Sequence, residues 1–127
     1  MNIQVKSRDF FSGACYAYCI AWIYGGKRDW PSLTFNVAKG LQRGYIDEDG
    51  YVSHPVQYVN LISNAGFINV VHKDGLPPVD GKEYAVMYKW KDKTHFVVVK
   101  DKEIVFDPWE NSDTVKYGIP FSYREFL

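Results

Sequence analysis

The chain has 127 residues, enough for one domain with a substantial core, and 17% of them are aromatic. Fifteen basic and fifteen acidic residues cancel, and neither sign forms a long run, which argues against a nucleic-acid binder. No stretch approaches the ~20 apolar residues of a membrane span, and the N-terminal residues contain no hydrophobic signal region. We therefore expect a single domain over residues 1–127 in the cytoplasm, with neither nucleic acid nor membrane as a partner. The sequence leaves the oligomeric state open.

Residues 2–6 alternate like a short edge strand, and an uncharged apolar segment over residues 16–24 then predicts a buried helix. The predicted helix runs from Cys15 to about Tyr24, since Cys15 opens it after a loop of small residues and Gly25-Gly26 follows it as a C-terminal stop. A cysteine at a helix start lies near unpaired backbone N–H groups and the positive end of the helix dipole, and both favour the thiolate. Cys15 is therefore the candidate nucleophile.

The second cysteine, Cys19, lies one turn after Cys15 on the same helix. A disulfide between them would distort the helix, because the Cα atoms would be about 6 Å apart with poorly aimed Cβ vectors. We expect reduced thiols, with Cys19 as a small buried apolar residue. A redox pair with Cys15 and half of a zinc site are the alternatives.

Two more helices are predicted before the strands begin. Asp29 can cap a helix that runs to about Leu41, and Ser53 can cap one with Pro55 in its first turn that ends at residues 64–66. Between them, the acidic segment 47–50 lacks the third early ligand and the Glu at position 12 that a calcium loop needs. We predict no metal site and no cofactor.

The pattern then changes to strands, predicted over residues 67–72, 83–90, 95–99, 103–106 and 117–123. Residues 91–93 form a turn, and Asp101-Lys102 forms a tight hairpin turn. Helices first and an antiparallel meander afterwards predict an α+β fold, with the sheet packed on the helices.

A cysteine nucleophile needs a base, and the base needs a third group that holds its orientation. Of the three histidines, His72 ends a strand before a charged turn, where solvation is the simpler interpretation. His54 lies in the first turn of a helix, where the dipole disfavours the imidazolium. His95 opens the strand His-Phe-Val-Val-Val at the rim of the sheet, so it is the candidate base.

Asp107 follows the return strand of the hairpin, in the segment Val-Phe-Asp-Pro-Trp. Because the hairpin turn folds that strand beside the strand of His95, both residues are predicted at the same rim, where the carboxylate can accept a hydrogen bond from the ring. Trp109 can shield the pair from water. Taken alone, a histidine in a strand and a turn-forming Asp-Pro are ordinary structural features, but together with Cys15 they form a catalytic pattern.

Two stretches carry a resemblance to a known family. Residues 12–16, Ser-Gly-Ala-Cys-Tyr, resemble the papain-type nucleophile signature, and residues 15–19 continue it, since Cys-Tyr-Ala-Tyr-Cys is similar to the family's Cys-Trp-Ala-Phe-Ser. Residues 95–99 with 107–109 resemble the His strand and the Asx strand of the compact papain-like clan, above all of the bacteriocin-leader (double-glycine) peptidases.

The resemblance implies a papain-like fold with a central nucleophile helix, and a cysteine-dependent hydrolase acting on a peptide, isopeptide or other amide bond. Cys15 would attack the carbonyl, His95 would serve as base and then as acid, and Asp107 would orient the ring. The Cys15 backbone N–H would supply half of the oxyanion hole. We expect Tyr16 and Trp109 to contact the substrate, which is a peptide or a protein.

One position departs from the family pattern. The glutamine that papain-like enzymes place six residues before the nucleophile is Asp9 here, and an ionised aspartate would repel the oxyanion. Loss of one oxyanion donor costs about 2.7–4 kcal/mol of transition-state stabilisation, unless Ser12, Ser7 or Gln4 replaces it. An inactive papain-like domain that binds a peptide or protein, and an acyltransferase with the same triad, therefore remain alternatives.

Overall fold

The computed structural model describes residues 13–109 and 113–127. This part of the chain contains the helices α1 (Cys15–Tyr24), α2 (Trp30–Gln42), α3 (Pro55–Ile62) and α4 (Asp113–Tyr117), and the strands β1 (Val70–Asp74), β2 (Glu83–Trp90), β3 (Lys93–Lys100), β4 (Glu103–Phe106) and β5 (Ile119–Phe126). The architecture is α+β, as predicted. The edge strand predicted over residues 2–6 lies outside the described residues. Across residues 13–109 and 113–127, none of the helices has the length and apolarity needed to span a membrane.

The five strands form one open antiparallel sheet in the order β1-β5-β2-β3-β4. The predicted simple meander is therefore wrong, because only β2, β3 and β4 follow one another, and β5 returns to lie between β1 and β2. Residues 75–82 connect β1 and β2 and are too long for a tight hairpin turn. These two strands are thus free to accept β5 between them.

Several predicted boundaries are confirmed. The helix α1 spans the predicted residues, and Asp29 caps α2 through a hydrogen bond from the Ser32 N–H to Oδ1 at 2.9 Å. The hairpin turn between β3 and β4 has positive φ angles of 49° at Asp101 and 70° at Lys102, which is the left-handed geometry of a two-residue hairpin loop.

Other boundaries move. The strand β1 begins at Val70 rather than at residue 67, because the Asn60 side chain binds both backbone groups of Ile68 and removes them from the sheet. The strand β5 begins at Ile119, since the residues before it form α4, and β3 begins before His95, which is its third residue.

The third helix is also shorter than predicted. The residue that precedes α3 is His54 rather than Ser53, and α3 ends at Ile62, before residues 64–66. The Ser53 hydroxyl donates instead to the backbone oxygen of Tyr45 at 3.2 Å, so it ties down the preceding loop.

The helix α1 lies in the centre of the main core. It packs against β2, β3, α2 and α3, and its residues 17–21 are fully buried. Trp22 stacks on Phe106 with 4.3 Å between ring centroids and an interplanar angle of 9°, which joins α1 to the end of β4. The opposite face of the sheet carries a smaller apolar cluster of Tyr84, Val86, Val97 and Val99, with Val115 of α4 packed against it. The packing places the N-terminus of α1 next to β3.

We expect Asn60→Ala to lower the free energy of unfolding by about 1–3 kcal/mol, because it leaves two buried backbone groups without partners. The Asn60 amide donates to the Ile68 oxygen at 2.7 Å and accepts from the Ile68 N–H at 2.9 Å, and Ile68 is only 6% exposed. Urea unfolding measures the change. The matched control is Asn64→Ala at an exposed position, for which we expect a change within about 0.5 kcal/mol. Equal changes in the two variants would contradict this role.

Candidate active site

Cys15 is the first residue of α1 and is 8% exposed. The first helical hydrogen bond runs from the Tyr18 N–H to the Ala14 oxygen at 3.0 Å, so the N–H groups of residues 15–17 precede the helical ladder. The Phe96 backbone N–H donates to Sγ of Cys15 at 3.4 Å. A negative charge on this sulfur is therefore stabilised by the helix N-terminus and by a donor from β3.

His95 is buried, with 3% of its surface exposed, and lies between the sulfur and a carboxylate. Its Nε2 atom donates to Oδ1 of Asp107 at 2.6 Å. The Cys15 side chain is its second hydrogen-bond partner. Because Asp107 occupies Nε2, Nδ1 is the ring nitrogen left for the sulfur.

Asp107 follows the last residue of β4. Its Oδ1 atom also accepts a hydrogen bond from the Trp109 backbone N–H at 3.0 Å, which fixes the carboxylate from a second direction. The predicted contact between His95 and Asp107 is confirmed. The three side chains thus form one hydrogen-bonded series from the sulfur through the ring to the carboxylate, and their role in catalysis stays a prediction.

The family described as "Protein of unknown function, DUF261" matches residues 3–127. The chain belongs to this family. No curated protein and no solved structure matches this chain. Because the family's description names no activity, the functional argument for this DUF261 protein rests on the geometry and electrostatics of its site.

The electrostatics of His95 favour a charged ring. Burial disfavours the imidazolium and would lower the pKa, but the hydrogen bonds with Asp107 and Cys15, and their negative charges, outweigh it and raise the pKa of His95 to about 9. At neutral pH the ring is therefore mainly protonated, next to a sulfur whose negative charge is stabilised. Because the pKa in the folded state lies above the ordinary value of 6.5, this group's contribution to stability is complete below pH 6.5 and is lost as the pH rises through about 9.

The DUF261 chain has a cavity of about 150 Å³ directly beside Cys15. Tyr16 lines it, and its ring stacks on Phe96 with 4.4 Å between centroids. The guanidinium of Arg124 lies over both rings, 5.8 Å and 5.1 Å from their centroids. Burial raises the pKa of the Tyr16 hydroxyl, although the charge of the nearby Arg124 guanidinium opposes this. The contact of Tyr16 with a substrate stays a prediction.

Trp109 lies elsewhere. Its ring is 6% exposed and packs edge-on against Tyr18, with 5.8 Å between centroids, so the structure places it in the core rather than along the cavity. The Trp109 backbone N–H donates to the Asp107 carboxylate, while the Trp109 ring points into the core. The expected contact of Trp109 with substrate therefore finds no counterpart in the cavity lining.

The other residues that the sequence analysis considered for the site take no part in it among the described residues. Cys19 is fully buried, which raises the pKa of its thiol well above the ordinary value, with the charges of Cys15 and Asp107 adding to the effect, and both cysteines are free. His54 and His72 are exposed.

The oxyanion-hole candidates lie outside the described residues, and these are Asp9, Ser7, Ser12 and Gln4. Within residues 13–109 and 113–127, His, Cys, Asp and Glu form no group of three or more that could hold a metal ion.

Sequence reasoning missed part of the cavity wall. Tyr51, Val52, Thr94 and Phe96 all line it. Thr94 and Phe96 flank His95 in the sequence, so their position next to the candidate base was a usable signal. Tyr51 and Val52 come from a polar loop distant in sequence, and nothing local in that loop indicates that it reaches the cysteine. A larger cavity of about 380 Å³, lined by Tyr24, Phe126 and others, lies away from Cys15 and His95.

We expect the ring of His95 to lose its proton near pH 9 in the wild-type protein and at lower pH in Asp107→Asn, because the variant removes the charge that holds the proton. NMR titration of the histidine ring protons measures both values. The matched control is Asp74→Asn, which changes the exposed carboxylate beside His72 and should leave the His95 titration unchanged. The same His95 titration in wild type and Asp107→Asn would show that the carboxylate does not hold this proton.

Proposed function

We propose that residues 1–127 form a single papain-like cysteine hydrolase domain that cleaves a peptide, isopeptide or other amide bond. The observation that carries the proposal is the hydrogen-bonded series of Cys15, His95 and Asp107, in which a buried histidine with a raised pKa lies between a helix N-terminal sulfur and a carboxylate. A thiolate beside an imidazolium is the reactive form of a catalytic cysteine at neutral pH.

The arrangement of the elements supports the papain-like assignment. The cysteine opens a buried helix that packs on an antiparallel sheet, the histidine lies on the sheet strand next to it, and the carboxylate follows the next strand. This is the order of nucleophile, base and orienting residue that the sequence resemblance implies. The proposed compartment is the cytoplasm, because both thiols are free and a disulfide between them would distort α1.

The first half of the proposed reaction forms an acyl-enzyme. The thiolate of Cys15 attacks the carbonyl carbon, a C–S bond forms, and the carbonyl oxygen becomes an oxyanion near the backbone N–H of Cys15. The imidazolium of His95 then gives its proton to the amide nitrogen, the C–N bond breaks, and the amine leaves. Asp107 keeps the ring oriented and stabilises its charged form throughout.

Water completes the cycle. The now neutral His95 takes a proton from a water molecule, whose oxygen attacks the acyl carbon. The C–S bond breaks, the carboxylic acid leaves, and Cys15 returns to the thiolate beside a protonated His95. This DUF261 chain can therefore supply nucleophile, acid, base and orienting group from the three side chains of one hydrogen-bonded series.

We expect Cys15 in the wild-type protein to react with iodoacetamide at least about tenfold faster below pH 7 than it does in His95→Ala, because removal of the ring removes the cation that stabilises the thiolate. Mass spectrometry assigns the label to a residue. Cys19, which is fully buried, serves as the internal control and should stay largely unlabelled in both proteins.

A second outcome of the same labelling experiment would contradict the hydrolase proposal. If Cys15 reacts slowly below pH 7 in the wild-type protein, and if His95→Ala changes nothing, the ion pair is not formed and the hydrolase proposal fails. The inactive domain that binds a peptide or protein would then take its place.

A further inference from the structure

The cavity beside Cys15 has two walls of different character. One wall is the stacked pair of Tyr16 and Phe96, whose ring centroids lie 5.8 Å and 5.1 Å from the guanidinium of Arg124. The other wall is formed by Tyr51 and Val52 from the loop between α2 and α3. Among the described residues that line this cavity, none carries a charged side chain apart from a thiolate at Cys15 itself.

The backbone of Tyr51 is held firmly in its place. Ile46 and Val52 form an isolated antiparallel bridge, and between them the Tyr51 N–H donates to Oδ1 of Asp47 at 3.0 Å. The Tyr51 oxygen in turn accepts from the Asp47 N–H at 2.9 Å. These contacts make residues 46–52 a small closed loop. The backbone of this loop therefore sets the direction in which the Tyr51 side chain points.

The ring of Tyr51 lies directly against Gly13, which precedes Cys15 by two residues in the sequence. A Cβ atom added to Gly13 would come within 2.7 Å of a carbon atom of this ring, so the close approach depends on a residue without a side chain at that position. Tyr51 is nevertheless 61% exposed to solvent. Tyr51 thus bounds the cavity next to the candidate nucleophile without being part of the core.

We infer that this cavity is the pocket for the acyl side of the substrate, that Tyr51 is its outer wall, and that it accepts one uncharged apolar side chain no larger than about a benzene ring. The inference rests on the proposed function. A cavity of about 150 Å³ is large enough for a molecule of that size. A carboxylate side chain would lose its hydration in the pocket and would lie beside the sulfur, and no described residue that lines the pocket carries a positive charge, which disfavours an acidic side chain.

The experiment uses three dipeptide vinyl sulfones that differ only in the residue next to the reactive carbon, which is Leu, Asp or Trp. Leu and Asp have similar shapes and differ in charge, while Trp tests size. In each probe Sγ of Cys15 adds to the vinyl carbon, and the neighbouring carbon takes the proton of His95, so no further reactant is needed. Labelling rates are divided by the iodoacetamide rate of the same variant.

For the wild-type protein we expect the Leu probe to label Cys15 at least about tenfold faster than the Asp and Trp probes, in line with the discrimination that an apolar pocket can reach. Tyr51→Ala should raise the relative rate of the Trp probe about tenfold, while Leu remains preferred over Asp, because the variant removes a wall and adds no charge. Tyr51→Phe retains the ring and should keep the wild-type ratios. The matched control is Tyr117→Ala, an exposed tyrosine on α4 that does not line the cavity.

The outcomes separate the two proposals. If Cys15 shows His95-dependent reactivity with iodoacetamide but the three probes label it equally fast, the pocket assignment is overturned and the hydrolase proposal stands. If discrimination is present but identical in wild type and Tyr51→Ala, the role of Tyr51 as the wall is overturned. If Cys15 shows no His95-dependent reactivity at all, both proposals fall together.

Discussion

The apolar helix α1 lies between the sheet and the helices α2 and α3, with residues 17–21 fully buried. This packing places the first residue of the helix, Cys15, against β3, where the Phe96 N–H donates to its sulfur. The same strand carries His95 directly before Phe96. A displacement of α1 along its axis would therefore separate the sulfur from both the backbone donor and the ring, so the geometry of the candidate site depends on how the core is packed.

The candidate site depends on electrostatics as well as on the packing of the core. A histidine as buried as His95 would ordinarily be neutral, because desolvation disfavours the imidazolium. Asp107 and Cys15 reverse this preference by accepting hydrogen bonds and by their charge, and the pKa of the ring rises to about 9. The three groups depend on one another, since removal of either hydrogen-bond partner leaves a buried imidazolium poorly compensated. Burial of charged groups in such a series costs desolvation free energy, and strongly shifted pKa values cluster at functional sites in proteins.

The surroundings of the sulfur combine elements of the core with a surface loop. Tyr16 and Phe96 are stacked and belong to α1 and β3, two elements at the centre of the fold. Tyr51 comes from a surface loop that its own hydrogen bonds close, and its ring remains largely exposed. Binding residues on loops supported by a rigid scaffold are common, because loops can change without loss of the core. In this chain the scaffold positions Cys15 and His95, and the loop lines the cavity beside Cys15.

The sequence by itself determined the features that depend on near neighbours. The apolar run and flanking glycines predicted α1, the cap at Asp29 predicted α2, and the Asp101-Lys102 turn brought His95 and Asp107 together across one hairpin. Only the tertiary structure decided the insertion of β5 between β1 and β2, and the approach of the Tyr51 ring to Gly13. Periodicity, caps and turns act over a few residues, whereas these last contacts join distant segments whose pairing is set by the burial of the whole core.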